Sequence, residues 1–207
     1  VSWKSEKGFI EEESKNPLGR FTVGTPRTSD GSLLFLQHLI SKMKPEGSRI
    51  GIVFNGSPLF TGDSGSGESN IRKWLFDNDL VEAIIQLPTD EFFNTNIFTY
   101  IWILNKNKSD ERKKKVMLID ASSKFKLLKK NKGKKRKEID EESKKEILDT
   151  ILEFKDNDFA KVFDREYFYF NKQVITLTNV DGSGKGFVTD KKSLKLDVTK
   201  IIFKDEV

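Results

Sequence analysis

The residues best placed to do chemistry lie in one short stretch, Leu87 to Ile97, which reads LPTDEFFNTNI. It follows the apolar run LVEAIIQL and is opened by Pro88, so it reads as a loop just beyond a strand. Two adjacent phenylalanines, Phe92 and Phe93, sit there among Thr and two Asn, and at least one ring is expected to escape regular packing. Ligands of open α/β sheets collect at the carboxyl ends of the strands. An aromatic ring at such an end can stack on a planar ligand, for instance a base withdrawn from a duplex. The competing expectation, which spacing alone favours, is that both rings plug the end of the sheet.

A second candidate is electrostatic. The chain carries a net charge of +5, with 37 Lys+Arg against 32 Asp+Glu. Residues 106–145 alone hold 17 basic and 7 acidic residues, a local +10 that leaves −5 on the rest. Within that block, Lys124 to Lys137 has nine positive charges and no negative one. A basic block on a mildly acidic body suits contact with a polyanion. The bland alternative is a solvated loop. Lys129, Lys130, Lys132, Lys134, Lys135, Arg136 and Lys137 are the candidate phosphate contacts. The scarcity of Arg favours phosphate contact that ignores sequence over bidentate reading of bases.

Other chemistries are excluded or weak. With no Cys, there is no disulfide framework, thiolate metal site or cysteine nucleophile. A single His rules out two-His metal motifs and most Ser/His/Asp arrangements. His38 lies within an apolar helical pattern and reads as structural. The loop Gly62 to Ser69 (GDSGSGES) has P-loop spacing, but Glu68 stands where a phosphate cradle needs an ammonium. It is expected to be a loop, with Ser66 or Glu68 favouring the start of the next helix. Gly182 to Gly186 reads as a hairpin turn. The acidic groups Glu11 to Glu13, and Asp90 with Glu91, have no evident partner for acid/base work. No apolar run is long enough to span a bilayer, and the chain reads as cytoplasmic.

Behind these residues stand the elements that must position them. Residues 1–29 read as an irregular loop or lid, rich in charge with Pro17 and Pro26 as turn signals. LLFLQHLISKMK has helical spacing, with Ser32 or Asp30 as N-cap. RIGIVFN reads as a strand covered on both faces, as in a parallel sheet. A helix over ESNIRKWLFDN, then the strands LVEAIIQL, TYIWILNK and KVMLID, complete residues 30–120. This order predicts the second half of a doubly wound α/β sheet ending in an antiparallel hairpin. Residues 121–207 read as a basic linker and an extension, with an amphipathic helix over Asp140 to Phe154 and a β-rich run over Val162 to Thr178.

Taken in order, these pieces resemble the methyltransferase (M) subunit of type I DNA restriction-modification systems, of the N6-adenine class. The resemblance rests on Thr28 to His38, Gly47 to Gly56, Leu59-Phe60, Glu68 to Leu75, Leu80 to Pro88, Phe92 to Ile97, Ile101 to Lys106 and Val116 to Asp120. It covers residues 20–120 well and 121–170 loosely. It implies a Rossmann-like sheet that binds S-adenosylmethionine and a flipped adenine, and methyl transfer to adenine N6 in DNA. The implied partners are double-stranded DNA and the specificity (S) and restriction (R) subunits. Two family elements have no counterpart here: the Gly-rich cofactor loop and the Asn/Asp-Pro-Pro-Phe/Tyr tetrapeptide. The chain, which begins at Val1, is therefore expected to be a fragment, inactive alone, with the cofactor held mainly by upstream residues.

The resemblance implies that Phe92 or Phe93, with Phe92 preferred, contacts the target base. Thr95 and Asn96 would shape the pocket rim, and Asn55 and Gly56 would lie near the active site. It also implies that strand 49–55 normally pairs with an upstream strand. The isolated chain is then expected to dimerise, swap elements or cover that edge with residues 1–29. The alternative reading is a non-catalytic nucleic-acid-binding or assembly module that works through residues 124–137.

Overall fold

The computed structural model describes residues 1–172 together with the backbone of Ile202–Phe203. The chain divides into two units, Val1–Tyr167 and Phe168–Val207. In the second, β8 (Asn171–Lys172) pairs antiparallel with β9 (Ile202–Phe203). Most of the β-rich run after Lys172, and the turn Gly182 to Gly186, lie outside the described residues.

The first unit is built on a five-stranded mixed sheet in the order β1-β3-β2-β4-β7. These strands are β1 (Arg49–Phe54), β2 (Val81–Gln86), β3 (Tyr100–Asn105), β4 (Lys115–Asp120) and β7 (Ala160–Asp164). β2 runs parallel to β4, while β3 is antiparallel to both β1 and β2. β1, β2 and β4 therefore point the same way, and their carboxyl ends share one edge of the sheet.

The expected terminal hairpin between TYIWILNK and KVMLID does not form. β3 inserts between β1 and β2, and β4 lies on the far side of β2. The reason is burial: Val81 to Ile85 are all buried, so β2 must be covered on both edges and both faces. The nine residues after Asn105, with a short 3-10 turn at Asp110–Arg112, carry the chain past the start of β2 to β4. Met117, Ile119, Ala83, Ile85 and Leu87 then form the main core with Ile147 and Ala160.

β1 also departs from expectation. Its exposure alternates, with Arg49, Gly51 and Val53 exposed and Phe54 buried, so one face is open. It is an edge strand, paired only with β3 among the described strands. The exposed edge expected of this strand is thus present, and residues 1–29 do not pair with it.

Residues 1–29 are not irregular throughout. Lys7–Lys15 form a helix, α1, which buries Ile10. Trp3, Ile10, Phe21 and Leu34 make a satellite core against α2 (Ser32–Ser41). The Trp3 indole donates to the Arg27 carbonyl at 2.9 Å. Four anchors spread over more than thirty residues leave no local period to read, which is why a helix with one buried residue was not evident. At the start of α2 the N-cap is Gly31, and the Asp30 carboxylate accepts from the Ser32 amide at 3.0 Å and its hydroxyl at 2.6 Å.

The two longer helices that remain match their signals, whereas Ser57–Phe60 falls in what reads as the loop after RIGIVFN. α3 (Ser57–Phe60) is a single turn, and α4 (Gly67–Asp77) begins at Ser66, whose hydroxyl accepts from the Ser69 amide. α5 (Glu141–Glu153) is capped by Asp140, whose carboxylate accepts from the Ser143 amide at 2.9 Å. It ends at Phe154 in the left-handed conformation. Because β7 joins the main sheet and Ile147 joins the main core, residues 121–167 pack with residues 30–120, and no boundary between compact units falls at 120.

Candidate functional site

The shared carboxyl edge gathers Asn55, Leu87 and Ala121, the residues that follow β1, β2 and β4. Asn55 is exposed, and its side-chain oxygen accepts from the Ser57 amide at 3.1 Å, which starts α3. A Cβ on Gly56 would lie 2.9 Å from the exposed Phe60 ring and 3.6 Å from Tyr100, which places both rings beside the strand end. Tyr100 opens β3 opposite Phe54 and Gln86. Asn55 and Gly56 therefore lie at the same end as the Leu87 to Thr99 loop.

In that loop the two phenylalanines part. Phe92 bridges Thr95 across a tight turn and packs against the main core. Phe93, at the tip of the turn, is 63% exposed. Each of the two expectations thus describes one ring: Phe92 plugs the sheet end and Phe93 faces solvent. Thr95 is half-buried, and Asn96, Ile97 and Phe98 are exposed beside it.

The lysine-rich segment is a hairpin, β5 (Lys126–Lys132) paired antiparallel with β6 (Lys135–Glu138). It packs on the aromatic loop. The Lys134 amide donates to the Phe93 carbonyl at 2.9 Å, and the Arg136 and Lys137 amides donate to the Asp90 carbonyl at 2.9 and 3.2 Å. Glu91 accepts from the Lys135 ammonium at 3.0 Å and from the Ile139 amide at 3.2 Å. The Lys137 ammonium reaches the Thr89 hydroxyl at 3.2 Å and lies 4.1 Å from the Phe125 ring centre. Gly133 turns the hairpin at φ +62°, and a Cβ there would come within 2.7 Å of the Phe93 carbonyl oxygen. Asp90 itself is held at φ +60°, a region that non-glycine residues enter at a cost.

The nine cations of this segment therefore divide. Lys135 and Lys137 face the aromatic loop and are taken up there. Lys126 pairs with Asp140, and Lys124 with Glu146. The Lys126 ammonium and the Ser143 donors hold the Asp140 carboxyl well below the usual carboxylate range. Lys129, Lys130, Lys132, Lys134 and Arg136 are exposed, and none forms an ion pair within 4.0 Å among the described residues. Of the seven proposed phosphate contacts, five remain outward-facing. The sequence hint of the hairpin is the glycine in Asn131-Lys132-Gly133-Lys134, a weak one because Lys and Arg are poor strand formers. Nothing in the sequence pairs Glu91 with Lys135.

The other motifs are structural. The Gly62 to Gly67 loop is filled by the chain itself: Gly67 packs on the Thr25 carbonyl, and the buried Glu68 carboxylate accepts from the Arg27 amide at 2.9 Å. His38 is half-buried and meets Arg20, which also forks onto Glu13. The hydrogen bond from Arg20 brings the Glu13 carboxyl down to about 2. At the opposite end of the sheet, the buried Lys108 ammonium donates to Asp79 and to the Val81 carbonyl, both at 2.7 Å, and to the Lys115 carbonyl at 2.9 Å. Among the described residues no cluster of His, Cys, Asp or Glu is arranged to hold a metal ion, and no helix is long and apolar enough to cross a membrane.

Comparison with known proteins gives the family. The pattern of the N-6 DNA Methylase family matches residues 2–180. The chain belongs to that family. It is 40% identical over 119 residues to the type I restriction enzyme MjaVIII methylase subunit of Methanocaldococcus jannaschii, a match over 57% of this chain and 20% of that protein. The MpnII methylase subunit of Mycoplasma pneumoniae is 30% identical over 169 residues, 80% of this chain and 28% of its own length. Among solved structures, the type I restriction-modification methyltransferase subunit of Streptococcus thermophilus aligns with a TM-score of 0.66 at 28% identity. That alignment covers 80% of this chain and 32% of the other. The chain thus spans a fifth to a third of the length of these relatives, and its mixed sheet with an added hairpin matches the Streptococcus thermophilus structure.

Proposed function

We propose that this chain forms the part of a type I adenine-N6 DNA methyltransferase subunit that meets the target base and the DNA backbone. The observation that carries the reading is the exposed Phe93 ring, held at the carboxyl edge of the sheet beside a hairpin with five outward cations. A flat aromatic face accepts any unstacked base, and lysines meet phosphates without regard to sequence. Phe93 is favoured over Phe92 as the stacking ring because Phe92 is used in the core. Thr95 and Asn96 flank it as the pocket rim, and Asn55 and Gly56 lie at the neighbouring strand end.

The methyl donor that the family implies is S-adenosylmethionine. The described residues do not fit it: the glycine loop at 62–67, whose backbone amides could otherwise hold the donor's carboxylate, is packed by Thr25 and closed by the Glu68 carboxylate. No catalytic residue is assigned, and the donor falls to other parts of a full-length subunit, acting with specificity and restriction subunits. The open edge of β1 suits pairing with a further strand, either from such a subunit or from a second copy of this chain in a homodimer or swapped dimer.

The test is duplex binding as a function of salt, together with methyl transfer before and after addition of a polypeptide that supplies the rest of a methylase subunit. Binding that weakens steeply with salt, and transfer that appears only after complementation, are expected. Salt-independent binding, or methylation by this chain alone, overturns the proposal. The five unpaired cations also favour a second reading, an electrostatic binding or assembly module. It is preferred if Phe93→Ala leaves the binding of an extruded base unchanged.

A further inference from the structure

The hairpin and the aromatic turn form one mechanical object. Beyond the Phe92–Thr95 bridge and the Phe92 ring in the core, the turn is tied down by β6 and by the Lys134 amide just before it. Three β-hairpin amides are spent on the carbonyls of Asp90 and Phe93, and the Glu91 carboxylate bridges Lys135 and the Ile139 amide. Lys135 and Glu91 are both mostly shielded, at 13% and 14% side-chain exposure, whereas Arg136 between the two inward lysines is exposed. Alternation along a strand is the cause: successive side chains point to opposite faces. The left-handed Asp90 shows that the turn is held against its own preference.

We propose that the β5–β6 hairpin is a strut that presents Phe93 to an unstacked base, with Lys135 and Glu91 as its positioning residues; this rests on the base-stacking reading of Phe93. The outward cations of the same hairpin hold the backbone of the nucleic acid. One hairpin thereby sets both where the phosphates run and where the ring stands. A change on the outward face weakens binding of every duplex alike. A change on the inward face leaves the phosphate contacts and loosens the ring, so it removes only the preference for an extruded base.

The experiment compares two duplexes of equal length and charge, one with 2-aminopurine opposite an abasic site and one fully paired, bound to the full chain. The readout is the ratio of the two dissociation constants. Phe93→Ala is expected to lower the preference for the extruded base by about fivefold or more. Lys135→Met and Glu91→Gln are expected to lower it about threefold or more, and the reversed pair Glu91→Lys with Lys135→Glu to recover at least half of the loss. If Phe93→Ala lowers the ratio and neither Lys135→Met nor Glu91→Gln does, the strut is overturned and the base reading stands. An unchanged ratio in Phe93→Ala, or no binding of either duplex, overturns both. Amide exchange supplies the check that needs no DNA. The amides that donate onto the turn, those of Lys134, Arg136, Lys137 and Ile139, should exchange at least threefold faster in Lys135→Met and Glu91→Gln while 81–86 are unaffected, and unchanged protection of those four overturns the strut.

Discussion

The two ends of the central sheet use the same residue types to opposite effect. At the amino-terminal end of β2, the side chain of Lys108 is 2% exposed and donates to a carboxylate and two carbonyls. Next to it, Glu82 accepts from Arg112 at 3.1 Å and from Asn105 at 3.3 Å, and Arg49 lies 3.6 Å away. Burial pushes the Lys108 ammonium down, opposed by Asp79 and Glu82. The shielded charges there, Lys108, Glu82 and Arg112, each have an internal partner. At the carboxyl end, four of the nine cations of residues 124–137 have acidic or hydroxyl partners and five face water. The difference teaches that a basic residue count says little about function; what matters is which cations the fold leaves unpaired.

The comparison breaks most readily at Lys108. Lys108→Ala removes the ammonium from Asp79, which keeps the Lys114 amide, and from two backbone carbonyls, and should cost about 3 kcal/mol, read as a lower urea midpoint. Its salt-dependence of duplex binding should match that of the parent. A loss below about 1 kcal/mol would mean that this end is no more essential to the fold than the other. The reciprocal experiment changes Lys129, Lys130, Lys132, Lys134 and Arg136 to Gln. If each meets a phosphate, the slope of log K against log salt should become shallower by about 4, with stability altered by under about 1 kcal/mol. A large stability loss with an unaltered slope would erase the contrast.

Gly133→Ala sharpens the contrast within the hairpin. A left-handed residue with a Cβ costs about 1–2 kcal/mol, and here that Cβ also presses on the Phe93 carbonyl. The expected result is a matching drop in the urea midpoint and faster amide exchange at Lys134. The smallest effect is expected at the Arg20–Glu13 pair, which is partly exposed at both partners. Its carboxyl, lowered from 4.5 to about 2, binds protons more weakly in the folded than in the unfolded chain. The stability it contributes is present above about 4.5 and is lost as the pH falls towards 2. Glu13→Gln should flatten the urea midpoint against pH in that window and leave it unchanged at neutral pH relative to its own acid value.

Much of the fold was legible because its signals are local. α4 follows from Ser66 and the spacing of Ile71 and Leu75, and α5 from Asp140 and Ile147. β2, β3 and β4 are short apolar runs between breakers. The aromatic loop was legible too, since two Phe beside Pro88 and two Asn cannot all be packed. The parting of Phe92 from Phe93 was not legible, because adjacent residues of one type differ only in which way the turn faces them. α1 was missed because its anchors are scattered from Trp3 to Leu34.

What the sequence determined by itself is the family, the α/β class, the position of the aromatic loop after β2 and the location of the basic block. These rest on residue order and short-range periodicity, which do not depend on what packs where. Only the tertiary structure decided that β3 lies between β1 and β2, that residues 126–138 fold into a hairpin, and which five of nine cations remain outward. The first depends on the ladders of β3 with β1 and β2, and the other two on hydrogen bonds from Lys134 to Phe93 and from Arg136 to Asp90, between segments more than forty residues apart. A strand of lysines has little preference for its shape until such a surface accepts it.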